Sequence, residues 1–495
     1  NYDYKDIYLL ELNGRYDGSS RFPRHSHWAF FPSVSLGYRF SEEPYFKQLR
    51  NVVSNGKLRA SFGEIGNEAV GDYMFESLIT QVDRDDVHWV DGNQENANKL
   101  PMFNTPNLVE PILTWERIRT TDVGLDLGFL NNELSVGFDW YQRENTDMLA
   151  PSQVLPQVLG TDAPMANAGT LRTRGWELTL DWHHRFGEFN VYANFNLADS
   201  KTVVTKWESK AKLLNQNYSG KTYGDIWGFE TDRYFEESDF TGQNADGTWN
   251  YANGIASQKG LEQGSFHYGP GDVKFKDLDG NGVIDGGEGT ADKHGDLKVI
   301  GNFLPRYEYS FHLGGAWRGF DLDLFFQGVG KRHVWTVSSM NFPLMREADL
   351  AIYDHQLSYN RVIYKNGLKD VERYEVNQAN KYPRLFPGND PQGNISVIDA
   401  GTNNYYPQSR YLTDMSYLRL KNVTLGYTLP KELTRKAYIQ KARIYLSASN
   451  LFLLYKGNDL PVDPEINAGA GLKYGGWGRT APITRTLSFG MQVTL

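Results

Sequence analysis

The chain has 495 residues, no cysteine and a formal net charge of −9. Disulfides, zinc–thiolate sites and iron–sulfur clusters are therefore excluded, and no basic stripe suits a nucleic acid. Mean hydropathy is negative, and no run approaches the roughly 18 apolar residues that a membrane helix needs. A barrel strand shows lipid only every second side chain, so low average hydropathy leaves a membrane barrel open.

Every segment between turns alternates apolar with polar. From Glu133 to Tyr141, Leu134, Val136, Phe138 and Trp140 fall on one face and Ser135, Gly137, Asp139 and Tyr141 on the other. Trp176, Leu178, Leu180 and Trp182 repeat the pattern, as do Phe189, Val191, Ala193, Phe195 and Leu197. A period of two is the mark of a half-buried strand. Twelve strands are expected, near 5–18, 28–40, 57–66, 117–129, 132–147, 170–184, 188–200, 305–317, 321–335, 417–429, 442–455 and 484–495. Tight turns at Leu130-Asn131-Asn132, Phe186-Gly187-Glu188 and Arg318-Gly319-Phe320, with 41–56 and 430–441, fall at one end. The segments 19–27, 67–116, 148–169, 201–304, 336–416 and 456–483 fall at the other. Short turns at one end and long loops at the other predict an all-β fold, a transmembrane antiparallel β-barrel with long extracellular loops. The 201–304 and 336–416 loops are long enough to carry short strands or helices of their own, including a helical turn at Asp349 to His355. The final strand alternates Leu487, Phe489, Met491, Val493 and Leu495 with Ser488, Gly490, Gln492 and Thr494. Asn1 opens the chain without a charged leader, so a piece of something longer is expected.

Aromatic residues make up 14% of the chain, which suits the girdles of a barrel but also a sandwich lectin.

One constellation is sharp. Asp277, Asp279, Asn281, the Val283 carbonyl, Asp285 and Glu288 occupy the oxygen-donor positions of an EF-hand-like loop over 277–288, and Gly282 stands at the sharp turn. Calcium wants six to eight oxygens, and this run supplies them. Its flanks are not helical, so calcium would rigidify the 201–304 loop rather than switch a helix pair. The bland alternative is a solvated Asp/Gly turn.

Ligand contacts are harder to read. Trp227, Tyr234, Trp249, Tyr251, Tyr268 and Trp477 lie in the long loops. Flat aromatic faces stack on sugar rings, yet packing of the loops is the commoner fate of any one of them. His183 and His184 point to opposite faces of a strand and cannot easily share an ion. No catalytic constellation emerges, so no enzyme is expected.

Several segments resemble SusC-like TonB-dependent outer-membrane transporters of Bacteroidota. They are Tyr16–Phe22, Phe31–Ser35, Leu58–Gly63 with Gly66-Asn67, Trp115-Glu116, Gly124–Asp126, Gly175–Glu177, Gly271–Asp279, Ser416–Pro430, Ala442–Phe452, Asp463–Glu465 and Arg485–Gly490. The matches run through the whole chain in the family's order. The resemblance implies the C-terminal part of a plugged barrel of about 22 strands, in the outer membrane of a Gram-negative bacterium. It implies uptake of glycan oligomers or peptides beneath a SusD-like surface lipoprotein, energised by the TonB complex acting through an N-terminal plug. The plug and first strands are not visible here, so an associated N-terminal barrel and plug portion is expected. The alternative class is a secreted calcium-stapled glycan-binding β-protein, or the non-catalytic module of a glycoside hydrolase.

Overall fold

A computed structural model describes the chain apart from residues 80, 82–89, 92–97, 100–102, 105, 107, 152–157, 159–162, 265, 336–339, 344–351, 367–369, 386–387, 390–394, 397–402, 466–480 and 482. Thirteen strands hydrogen-bond in chain order. They are β1 (Tyr2–Tyr4), β2 (Tyr8–Gly18), β3 (Trp28–Tyr38), β4 (Val53–Asn67), β5 (Glu116–Phe129), β6 (Leu134–Pro151), β7 (Met165–Phe186), β8 (Phe189–Lys206), β9 (Arg306–Trp317), β10 (Phe320–Lys331), β11 (Tyr417–Thr428), β12 (Lys441–Lys456) and β13 (Thr486–Thr494).

All twelve expected strands are present. The thirteenth, β1, precedes the expected first strand of 5–18, which starts only at Tyr8; β1 pairs with it across a turn through Lys5 and Asp6, both at positive φ. That pair of left-handed residues makes a turn whose twist suits a hairpin. The strand β10 stops at Lys331, short of the expected 335, because His333–Val334 pairs instead with Thr413–Asp414. A 3-10 turn forms at Asp354–Gln356, within reach of the expected helical turn; residues 349–351 of that expectation lie outside the described residues.

The chain divides into two compact units, Asn1–Leu180 with Asp199–Tyr223, and Asp181–Ala198 with Gly224–Leu495. In the first, register carries the alternation from strand to strand. Leu12 faces Val34, which faces Phe62; Tyr8 faces Tyr38, which faces Leu58. Leu58 then faces Leu125, and Leu125 faces Phe138. The opposite face is polar: Arg59 faces Gly124, which faces Asp139. A small core of Phe22, Ala29, Phe31 and Trp115 closes the ends of β3 and β5. Trp115 Nε1 donates to the Ser26 carbonyl at 3.0 Å, tying that core to the 19–27 connection.

The second unit repeats the logic. Phe189 faces Trp317, Trp317 faces Phe320, and Phe320 faces Tyr427, Ile444 and Met491 in turn. The next apolar row is Leu322, Leu425, Leu446 and Phe489. These rows are bare: Phe489 is 73% exposed and Leu446 59%. A soluble sandwich buries such a face against a second sheet, so the exposure argues against that architecture.

The core of the second unit lies instead in the long connections 224–305 and 332–416. Phe229, Tyr234, Phe235, Phe266, Tyr268, Phe275, Ile284, Phe342, Tyr382 and Tyr405 are buried together there. Paired short strands frame them: Asp225–Phe229 with Leu297–Asn302, Thr231–Tyr234 with Val273–Phe275, and Phe240–Gln243 with Trp249–Tyr251. The two long loops thus carry secondary structure of their own, as their length demanded.

Candidate functional site

The long connections of the second unit are held by a buried polar keystone. Asp272 is fully buried and accepts from Gly269 N at 2.8 Å, from Asn404 Nδ2 at 2.8 Å and from Arg384 Nε at 2.9 Å. Burial pushes the Asp272 carboxyl above the usual carboxylate range, against the opposing pull of Arg384. Three stretches far apart in sequence therefore meet at one carboxylate. A buried charge is tolerated only when paired and hydrogen-bonded, and here every condition is met. A second clamp is exposed. Glu230 takes ion pairs from Lys276, at 2.5 Å, and from Lys298, and these hold its carboxyl down to about 2.

The acidic loop hangs from this frame. Ile284 is buried in the aromatic core, and its N–H donates to the Ser257 carbonyl at 2.8 Å. Asp277 accepts from Gly280 N and Gly282 N at 2.7 and 2.9 Å, and Asn281 Oδ1 accepts from Val283 N at 2.7 Å. Gly282 has φ +82°, the left-handed conformation that the sharp turn requires. Carboxylate oxygens of Asp277, Asp279 and Asp296 all lie within 4.8 Å of one another. Asp296 is missing from the sequence-derived donor set. It is fully buried, and it accepts from Leu278 N at 2.6 Å and Asp285 N at 3.0 Å. Asp285 Oδ1 accepts from Gly287 N at 2.7 Å, and the Glu288 carboxylate pairs with Lys293 at 2.5 Å rather than joining the cluster. No spacing rule reaches Asp296; it arrives through the pairing of chain around Asp285 with chain around Asp296.

The aromatic candidates divide. Tyr234 and Tyr268 are fully buried, so neither offers a free ring face. The Tyr234 hydroxyl donates to the Lys381 carbonyl at 2.8 Å and that of Tyr268 to the Asn403 carbonyl at 2.7 Å. Trp249 and Tyr251 pack from the side on Phe240, at 5.0 and 5.2 Å between centroids. Trp227 stands 5.4 Å from His294. Trp477 lies outside the described residues. For Tyr234 and Tyr268 the packing role is thus the one the burial describes.

The polar face of the strands carries charge. In the first unit Arg59 Nε holds Asp126 at 2.8 Å, and its other nitrogen holds Asp139 at 2.9 Å. In the second, Arg443 pairs with Asp321, while Asp323 takes His312 at 2.6 Å together with the Tyr192 hydroxyl. Asp139, Asn194 and Gln492 all lie in polar rows, and Val136, Val191 and Met491 in apolar ones.

Residues 1–451 match the family described as TonB dependent receptor-like, beta-barrel. The chain belongs to this family. TonB-dependent receptor P3 of Formosa agariphila is 27% identical over 523 residues, covering 100% of this chain and 44% of that protein. TonB-dependent receptor SusC of Bacteroides thetaiotaomicron is 26% identical over 486 residues, covering 95% of this chain and 41% of that protein. Among solved structures, the RagAB peptide importer in its closed-closed state aligns with a TM-score of 0.65 at 22% identity, covering 99% of this chain and 46% of the other. At that identity the likeness is one of fold. This TonB-dependent receptor barrel chain therefore spans a little under half the length of the relatives it matches. Its family is one of receptors and transporters rather than enzymes, and its alternating, bare apolar rows are those of a barrel wall.

Proposed function

We propose that this chain forms part of the wall and outer loops of an outer-membrane nutrient importer of the SusC type. The observation that carries the reading is the pair of exposed apolar rows through Phe320 and Leu322, continuous in register across β10 to β13. Their opposite face is lined by Asp321, Asp323, Thr424, Ser447 and Gln492. Apolar outside and polar inside is the pattern of a strand between lipid and a water-filled conduit. Aromatic residues end the apolar rows, as in Tyr4, Tyr8 and Tyr38 at one end of the first unit and Tyr16 stacked on Trp28 at the other. The cargo class is a glycan oligomer or a peptide, a SusD-like surface lipoprotein caps the long connections, and energy arrives through TonB acting on the remainder of the receptor. Family membership and the size of the loop platform support these roles. Gentle detergent extraction of the complete receptor tests them. Heat-modifiable migration on a gel and recovery with a surface lipoprotein are expected. Recovery as a detergent-free soluble protein would overturn the reading and favour a secreted glycan-binding protein.

We also propose calcium for the acidic loop. The donors are hard carboxylate and amide oxygens, as the ion requires. Asp277 and Asp279, gathered with Asp296, form the nucleus, and Asn281, the Val283 carbonyl, Asp285 and Glu288 are the neighbouring oxygens of the same loop. The ion would rigidify a long connection and reduce the entropy that ordering it would otherwise cost. Protease sensitivity of the 277–296 stretch should rise with chelator and fall again with added calcium; indifference to both would refute the site.

A further inference from the structure

The turn between β11 and β12 is unlike the rest of the second unit. Residues 429–441 read Leu-Pro-Lys-Glu-Leu-Thr-Arg-Lys-Ala-Tyr-Ile-Gln-Lys, four cations against one carboxylate. Lys431, Arg435, Lys436 and Lys441 are all exposed. Among the described residues none of the four is ion-paired, whereas Arg419, Lys421 and Arg443 of the adjoining strands each hold a carboxylate. The turn is nonetheless well built. Thr434 is buried, Ile439 N donates to the Thr434 carbonyl at 3.1 Å, and Gln440 N donates to the Thr494 carbonyl at 2.9 Å.

Beneath it lies a cavity of about 850 Å³ whose polar lining is Thr428, Lys431, Arg435, Gln440, Lys441 and Thr494, with no carboxylate among the residues that line it. Its position relative to the sheet decides what it faces. Thr428 pairs with Arg443, and Lys441 with Thr494. Thr428 and Arg443 share the polar face with Asp321, and Lys441 and Thr494 lie two residues on from Arg443 and Gln492, so all belong to that same face. The bare apolar row, Tyr427, Ile444 and Met491, points the other way. The cavity therefore opens on the polar side of the strand ends. At its rim stands Tyr438, 93% exposed and held at φ +58°, a conformation a bulky side chain rarely adopts.

We propose that this cavity is a docking seat for an acidic polypeptide segment at the short-turn end of the strands. Uncompensated cations supply the attraction, and Thr428, Gln440 and Thr494 can serve the segment's backbone. Tyr438 offers a ring to pack on it. The volume suits several residues of extended chain rather than a single inorganic anion. The orientation separates the seat from the row that faces lipid, which disfavours a phospholipid headgroup. That orientation rests on the reading of the strands as a membrane wall.

The test uses the complete receptor in mild detergent, with heat-modifiable migration as the check on the wall itself. A fluorescent hexaglutamate peptide is titrated by anisotropy at low salt. Binding is expected, weakening steeply as salt rises, and falling on the order of tenfold in Lys431→Ser/Arg435→Ser, since exposed charge pairs are each weak and screened. Lys431→Arg/Arg435→Lys should restore it, because charge and not shape is the requirement. Equal binding by the serine variant, or no binding by a receptor that still migrates heat-modifiably, overturns the seat. Displacement of the peptide by millimolar inorganic phosphate reduces it to a simple anion site and overturns the polypeptide. Displacement by vesicles of acidic phospholipid, but not by neutral ones, overturns it in favour of a membrane contact. Failure of heat-modifiable migration would instead overturn the membrane-wall reading, and with it the orientation on which the seat depends.

Discussion

Arg384 and Asp272 stand 112 residues apart in sequence and meet at 2.8 Å inside the loop platform, Asp272 wholly shielded from solvent. Arg384 also donates to the His267 carbonyl at 2.6 Å, so one guanidinium ties the 358–384 stretch to both sides of the Asp272 turn. Replacing it with alanine leaves a buried carboxylate without its cation. We expect Arg384→Ala to destabilise the platform by roughly 3–5 kcal/mol. Hydrogen exchange across 231–275 would register the loss, while exchange in β9 to β13 should change little.

The two faces of β8 give a second expectation. Val191→Lys places a charge in the bare apolar row and should cost roughly 2–4 kcal/mol if it lies near the middle of the bilayer. Asn194→Lys sits beside His312 on the polar face, and should cost far less. Urea unfolding of the receptor in lipid vesicles measures both. Equal costs would mean the register is displaced by one residue, since a single slip exchanges the faces.

Gly124 occupies the gap through which Arg59 reaches Asp139. A β-carbon there would sit 2.7 Å from the Arg59 guanidinium carbon and collide with an Asp139 oxygen. Gly124→Ala should therefore part that ion pair and cost about 1–3 kcal/mol, the usual range for overpacking. The unfolding midpoint in vesicles is the readout, and a neutral result would show that the arginine can move aside.

At the acidic loop the structure reorders the importance of the donors. Asp296 is buried within the cluster, and Glu288 is exposed beside Lys293. Terbium luminescence should therefore be weakened more by Asp296→Asn than by Glu288→Gln. The reverse order would restore the donor set that the spacing of the sequence suggests.

Glu230 gives a pH dependence. Its carboxyl is held at about 2 by Lys276 and Lys298, below its value in an unfolded chain. A carboxylate depressed by folding adds stability above its unfolded pKa, near 4.3, and that contribution disappears as pH falls through the folded value. Proteolysis of the 225–302 stretch should accelerate between about pH 4 and pH 2. The Glu230→Gln variant should lose that acid step and be equally protected across the interval.

The strands and their faces were legible in the order of residues along the chain. Alternation has a period of two, and each residue reports its own side, so β2 to β13 and the polar placement of Asp139 and Asn194 were legible from neighbours alone. The tight turns were equally local: Arg318 and Gly319 both take positive φ, as a short hairpin requires. The loops were not legible in that way. Tyr234 and Tyr268 could have stacked on a ligand or packed the loops, and burial selects packing; Asp296, outside the spacing of the donor run, is the third member of the carboxylate cluster. Their surroundings come from segments more than a hundred residues away, as with Tyr268 and Asn403. A long polar connection has no period to read, so only tertiary packing decides which of its side chains turn inward and which carboxylates meet.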